Sequence, residues 1–176
     1  LYGLTGFGPQ QEAYWTVELV SPLAQAHALL LKAQAASTDS AHIEVRHDGF
    51  GNRVFVSTLT PGLGWQNHGA PIPLQLQDGD QLGARVFSNG VVEVFRNNLL
   101  VGSRSVADWP WVANGGRIGM AFRGAYASRI EDFGGGNASL TGNRPPLALI
   151  ASPAETTWYA PGDTVRLDGS SLDPND

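Results

Sequence analysis

Residues 78–98 read DGDQLGARVFSNGVVEVFRNN. Leu82, Ala84 and Val86 alternate with Gly83, Arg85 and Phe87; beyond Ser88-Asn89-Gly90, Val92 and Val94 alternate with Val91, Glu93 and Phe95. Period-two alternation sends successive side chains to opposite faces of a strand. Two such runs about an Asn-Gly predict a β-hairpin, because the primed turn it favours needs positive φ, which Asn and Gly tolerate. Asn97-Asn98 predicts a second turn, into Leu99-Leu100-Val101. Three consecutive antiparallel strands follow, and the rest of the chain supplies their partners.

Upstream, Leu1 to Gln11 reads as a loop or a weak first strand. Ala13 to Val20 is a strand with Trp15, Val17 and Leu19 on one face, which assigns Trp15 to the core. Ala26 to Gln34 has high helix propensity, yet it lies among strands between Pro22 and a Ser-Thr-Asp-Ser turn, so context predicts a strand. His42 to Asp48 alternates Ile43, Val45 and His47 against His42, Glu44 and Arg46; Asp48 to Asn52 is a hairpin loop, and Arg53 to Thr60 is the return strand. Pro61 to Gly64 turns again, and a looser segment from Trp65 ends at Leu74. Downstream come Gly102 to Val106, a rigid Trp109-Pro110-Trp111 loop, and strands at Arg117 to Phe122 and Ala127 to Phe133. Gly134-Gly135-Gly136 reads as the domain exit. A first domain of 1–136, a linker of 137–146 and a second segment of 147–176 result, the last with strands at Leu147 to Ser152 and Thr164 to Leu167. Short strands at regular spacing indicate an all-β fold, an antiparallel sandwich.

Composition agrees. The 176 residues are 42% hydrophobic and only 15% charged, with 22 Gly and 11 Pro, which suits short strands and turns more than helices. A net charge of −5 gives no electrostatic footprint for nucleic acid. No apolar run reaches the roughly 20 residues of a membrane helix, so no membrane insertion is expected. The absence of cysteine excludes disulfides, thiol catalysis and Cys-ligated zinc. No signal peptide is visible, and a start at Leu1 is expected of a processed product or an excerpt of a longer protein.

Several stretches in this order, GPQQEAYWTVEL, LLLKAQ, DGDQLGAR, GVVEVFRNN, GGRIGM and IEDFGGG, resemble the concanavalin A-like (laminin-G-like) jelly-roll modules of large secreted bacterial proteins. The resemblance spans residues 6–136, with Asn97-Asn98 where the family usually has Asn-Gly. The tail PPLALIASPAETTWYAPGDTVRLDGSSLDPND resembles the opening of a PKD or immunoglobulin-like module, a partial second β-sandwich. It is too short to bury a core alone, so its strands are expected to be completed by more chain or by a neighbouring subunit. The resemblance implies a secreted or cell-surface module without catalysis, for glycan binding or adhesion. The alternatives are a structural subunit of a fibre or surface layer assembled through its C-terminal strands, with 147–176 joining a homo-oligomer, and a jelly-roll glycoside hydrolase.

Jelly-roll glycosidases carry a Glu-x-Asp-x-Glu triplet on one strand face, and no such triplet occurs; Glu131-Asp132 are adjacent, and Glu44 and Asp48 are roughly 13 Å apart along a strand. No catalytic residue is therefore assigned. His27, His42, His47 and His68 form no chelating pattern, and no metal ligand or cofactor is assigned. Calcium remains possible at Asp48, Asn52, Asp78 and Asp80, or at Asp168, Asp173 and Asp176; the alternative is that these side chains bond their own turns. Trp65, Trp109, Trp111, Phe50 and Tyr126 fall in predicted loops or strand ends and are the ligand-binding candidates, since sugar C–H faces stack on aromatic rings. Trp109 and Trp111 about Pro110 lead that set; the alternative is that their loop folds back and caps the core.

Overall fold

The computed structural model describes residues 2–138, 147–152 and 168–172. The chain divides into two compact units, 1–138 and 139–176. The first holds twelve strands: β1 (Tyr2–Phe7), β2 (Gln11–Leu19), β3 (Ala26–Ala33), β4 (His42–Asp48), β5 (Arg53–Thr60), β6 (Gly64–Asn67), β7 (Ile72–Pro73), β8 (Gln81–Val86), β9 (Val91–Arg96), β10 (Leu99–Ser105), β11 (Gly116–Arg123) and β12 (Arg129–Asn137). One sheet runs β1-β11-β3-β4-β5-β6 with β7 also on β5; the other runs β10-β9-β8-β2-β12. Every pairing is antiparallel, and no described residue is helical. This is the two-layered jelly-roll sandwich expected.

The alternation read in the sequence packs the two sheets together. Trp15, Val17, Leu82, Ala84, Val86, Val92 and Val94 come from one sheet, and Leu29, Leu31, Ile43, Val45, Val54 and Val56 from the other, all in one buried cluster. β3 is a strand despite its helix propensity. It lies between β11 and β4 and is buried on both faces, which explains its unbroken apolar run.

Three expectations change. Asn89-Gly90 is not a two-residue primed turn: only Gly90 has positive φ, at 84°, and its amide donates to the Phe87 carbonyl at 3.1 Å. That is a turn of longer loop closed by a left-handed glycine. The two-residue turn with both central φ positive is Asn97-Asn98, at 50° and 65°. Gly134-Gly135-Gly136 stands at the end of the first unit, but as part of β12, paired with Tyr14, Ala13 and Glu12. A Cβ on Gly134 would stand 2.6 Å from the Tyr14 hydroxyl oxygen, so a side chain there would displace the Tyr14 ring. The segment after Trp65 contains β6 and β7, and Pro73 lies in a two-residue strand at the margin, where a missing N–H costs little.

In the second unit, β13 (Leu147–Ser152) pairs antiparallel with β14 (Asp168–Leu172). The expected strand at Thr164 to Leu167 lies outside the described residues, as do Asp173 and Asp176.

Candidate functional site

The seven-stranded sheet turns one face into the core and the other outward. Register decides which side chains meet on the outward face. Leu30 opposes Glu44, and Ala28 opposes Arg46. Glu44 opposes Ser57, Arg46 opposes Phe55 and His42 opposes Leu59. Ser57 in turn opposes Asn67, and Leu59 opposes Trp65. On the other flank Arg123 of β11 opposes Ala26. Ala26 and Ala28 are small, which leaves room for Arg123 to reach across β3 to β4.

It reaches Glu44. Arg123 Nη2 donates to both carboxylate oxygens at 2.8 Å, and Arg46 Nε stands 3.2 Å from one of them. The Glu44 side chain is 4% exposed, against 25% for Arg46 and 49% for Arg123. A carboxylate so enclosed persists because charged donors surround it. Arg46 also lies over the Phe55 ring at 4.5 Å.

Trp65 borders this cluster. It is 49% exposed, stands edge-on to His42 at 5.3 Å, and has the Arg123 guanidinium 6.0 Å from its ring centroid. His42 Nδ1 bonds the Ser40 carbonyl at 2.7 Å, which leaves Nε2 as an acceptor. Burial lowers the His42 pKa and outweighs the Ser40 bond and the Glu44 charge, so the ring is neutral at neutral pH.

Two clefts meet over Glu44, Trp65 and Arg123. One, of about 490 Å³, is walled by Leu59, Pro61, His42 and Asp39. The other, of about 360 Å³, is walled by Gln25, Arg46, Ser57 and Asn67. Together they form a continuous surface with an aromatic plate at its middle and hydrogen-bonding groups at both ends.

Of the aromatic residues singled out from sequence, Trp65 alone lines these clefts. Trp109 is corrected: it is 2% exposed, packs in the core and donates its indole N–H to the Leu59 carbonyl at 3.3 Å. A ring enclosed to that degree offers no stacking face. Trp111 is half-buried against it, centroids 5.6 Å apart, so the loop does cap the sandwich. Phe50 and Tyr126 are strongly exposed in the β4–β5 and β11–β12 connections and line neither cleft.

Of the oxygens considered for calcium, those of Asp48, Asp78 and Asp80 have local partners. Asp48 holds the Gly51 amide and Arg53, Asp78 the Val20 amide, and Asp80 the Gln77 amide, Arg96 and Asn97. Among the described residues no three His, Cys, Asp or Glu side chains gather as a metal site would require.

Sequence reading missed His42, Glu44, Arg46, Asn67 and Arg123 as one site. A signal existed: three polar residues on one face of a strand whose other face is Ile43, Val45 and His47. The joining of Arg123 to Glu44 depends on β11 lying beside β3, which local periodicity cannot supply.

No protein-family model matches the chain, and no curated protein matches it. Solved structures do. Sheep galectin-11, in complex with glycerol, is 13% identical with a TM-score of 0.53, over 74% of this chain and 92% of that one. A carbohydrate-binding module from Bacillus subtilis is 10% identical with a TM-score of 0.56, over 73% and 76%. Congerin II carrying lactose and MES is 13% identical with a TM-score of 0.52, over 73% and 92%. At such identities the likeness is one of fold.

Proposed function

We propose that the chain is a non-catalytic glycan-binding module whose ligand lies on the outward face of the seven-stranded sheet, across Trp65. The observation that carries this reading is the half-exposed indole flanked by fixed polar groups. A ring presents an apolar plate to the C–H face of a pyranose, while Arg46, Arg123 and Asn67 pair with its oxygens. The solved structures of like fold include a carbohydrate-binding module and a protein carrying lactose, which supports the assignment. A location outside the cytoplasm goes with it, as does a multi-module surface protein in which the tail begins a PKD or immunoglobulin-like domain.

The test is a glycan array followed by titration of the best binder against Trp65→Ala. The expected loss is at least about tenfold in affinity, as for aromatic anchors generally. Stability should fall by less than about 1.5 kcal/mol, because the ring sits half-exposed on β6, the last strand in the β5 direction. Full binding by the variant would remove Trp65 and this face from the reading.

A second reading rests on the tail. β13 and β14 form a two-stranded sheet, an arrangement that gains from further strands. If these strands are completed by another copy in a fibre or surface layer, sedimentation of the full chain will show oligomers that disappear when residues 139–176 are deleted.

A further inference from the structure

The two ends of the cleft differ in hydrogen-bonding sense. At one end the exposed Asp39 carboxylate is an acceptor, matched to hydroxyl protons, while His42 lies buried beneath Trp65. At the other end donors dominate. Among the described residues the only carboxylate there is Glu44, and both of its oxygens already hold guanidinium groups. Ser57 Oγ donates to Asn67 Oδ1 at 2.7 Å, which turns the Asn67 amide NH₂ outward as a pure donor. Arg46 uses Nε on Glu44 and Nη1 on the Gln25 carbonyl at 3.4 Å, and Arg123 uses Nη2. A guanidinium carries five N–H groups, so each arginine keeps donors for a ligand. Counted by formal charge, Arg46, Arg123 and Glu44 leave this end at +1, on a chain whose net charge is −5.

Resting on the glycan-binding reading above, we propose that the preferred glycan is acidic, with a carboxylate or sulfate seated among Arg46, Asn67 and Arg123 and its neutral ring stacked on Trp65. Neutral sugar hydroxyls each bring a donor as well as an acceptor, and at this end their donors find no vacant carboxylate. An anionic group brings acceptors only, and planar guanidinium groups match it in charge and geometry. The unequal ends also orient the chain of sugars, acid toward Asn67 and free hydroxyls toward Asp39.

The experiment titrates the full chain with matched pairs, each of one acidic and one neutral member: oligogalacturonate against its methyl ester, and keratan sulfate against chemically desulfated keratan. At least one acidic member should bind about tenfold or more tighter than its matched counterpart, and the gap should narrow as salt rises from about 0.05 to about 0.3 M. Which pair shows the gap tells carboxylate from sulfate. Asn67→Asp, which replaces a donor by a like charge on a strand outside the core, should abolish the gap, and Arg46→Gln should reduce it. Circular dichroism and melting confirm that each variant is folded. Equal affinity for both members of both pairs, or a gap that survives Asn67→Asp, overturns the acidic preference while leaving the glycan reading in place. Binding to no sugar, acidic or neutral, overturns both.

Discussion

At Trp109 the indole is enclosed by the core and its N–H is committed to the Leu59 carbonyl; at Trp65 half the ring faces solvent and its neighbours are charged. Truncating the two should therefore have opposite consequences. Trp109→Ala removes a buried ring and leaves a void, expected to cost about 3–5 kcal/mol. Its effect should appear in the denaturant midpoint, while the folded fraction keeps its ligand affinity. Trp65→Ala should do the reverse. If Trp109→Ala instead weakens binding at unchanged stability, the assignment of these two residues is inverted. The Trp-Pro-Trp pattern does not reveal this division, because proline fixes the loop's stiffness but not the direction in which the rings fold.

At the scale of elements, turns were legible by residue type and less so by geometry. Asn97 and Asn98 both sit at positive φ, but their roles differ: Asn97 Oδ1 accepts from the Gln81 amide at 2.8 Å and its Nδ2 donates to Asp80, whereas no side-chain bond ties Asn98. Asn98→Gly should thus raise stability by about 0.5 kcal/mol, since glycine tolerates φ of 65° better and loses no contact. Gly90→Ala should lower it by about 2 kcal/mol or more: φ is 84°, and a Cβ would stand 2.7 Å from the Ala107 backbone. Paired thermal melts decide both signs. Strands with clean alternation, such as β4 and β8, could be read directly. β3 needed its surroundings, because an unbroken apolar run fits a buried strand or a buried helix equally well. The outward site was half legible. Its β4 residues follow from alternation, but the arginine from β11 and the asparagine from β6 reach them only through sheet order.

The whole molecule carries a titratable pair inside its sandwich, and this should set its acid stability. His27 and His47 are register partners on β3 and β4, both buried, with rings stacked 5.9 Å apart and Trp15 and Phe122 about His27 at 5.8 and 6.0 Å. His27 Nε2 bonds the Ser128 hydroxyl at 2.6 Å and His47 Nε2 the Leu74 carbonyl at 3.1 Å; Nδ1 of each has no protein partner. Burial, with the neighbouring His47 adding to it, pushes the His27 pKa from 6.5 down to about 4, and burial lowers His47 as well, against the Leu74 bond and Asp48. The folded state thus holds both rings neutral, while the unfolded chain takes up protons below pH 6.5. The stability is fully present above that value and is lost as pH falls toward about 4, by about 3 kcal/mol for His27. Asp48 and Asp80 act lower: burial alone would raise each, but amide and guanidinium partners outweigh it and hold both below 3.8, so their contribution is lost only on further acidification. Urea midpoints of the native chain should hold from about pH 7.5 to about pH 6.5 and fall from there to about pH 4.5. In His27→Gln they should start lower and fall less, because the variant has one fewer proton to gain on unfolding. A flat profile in the native chain, or an equal slope in the variant, would mean that protons reach the stacked rings without unfolding the sandwich.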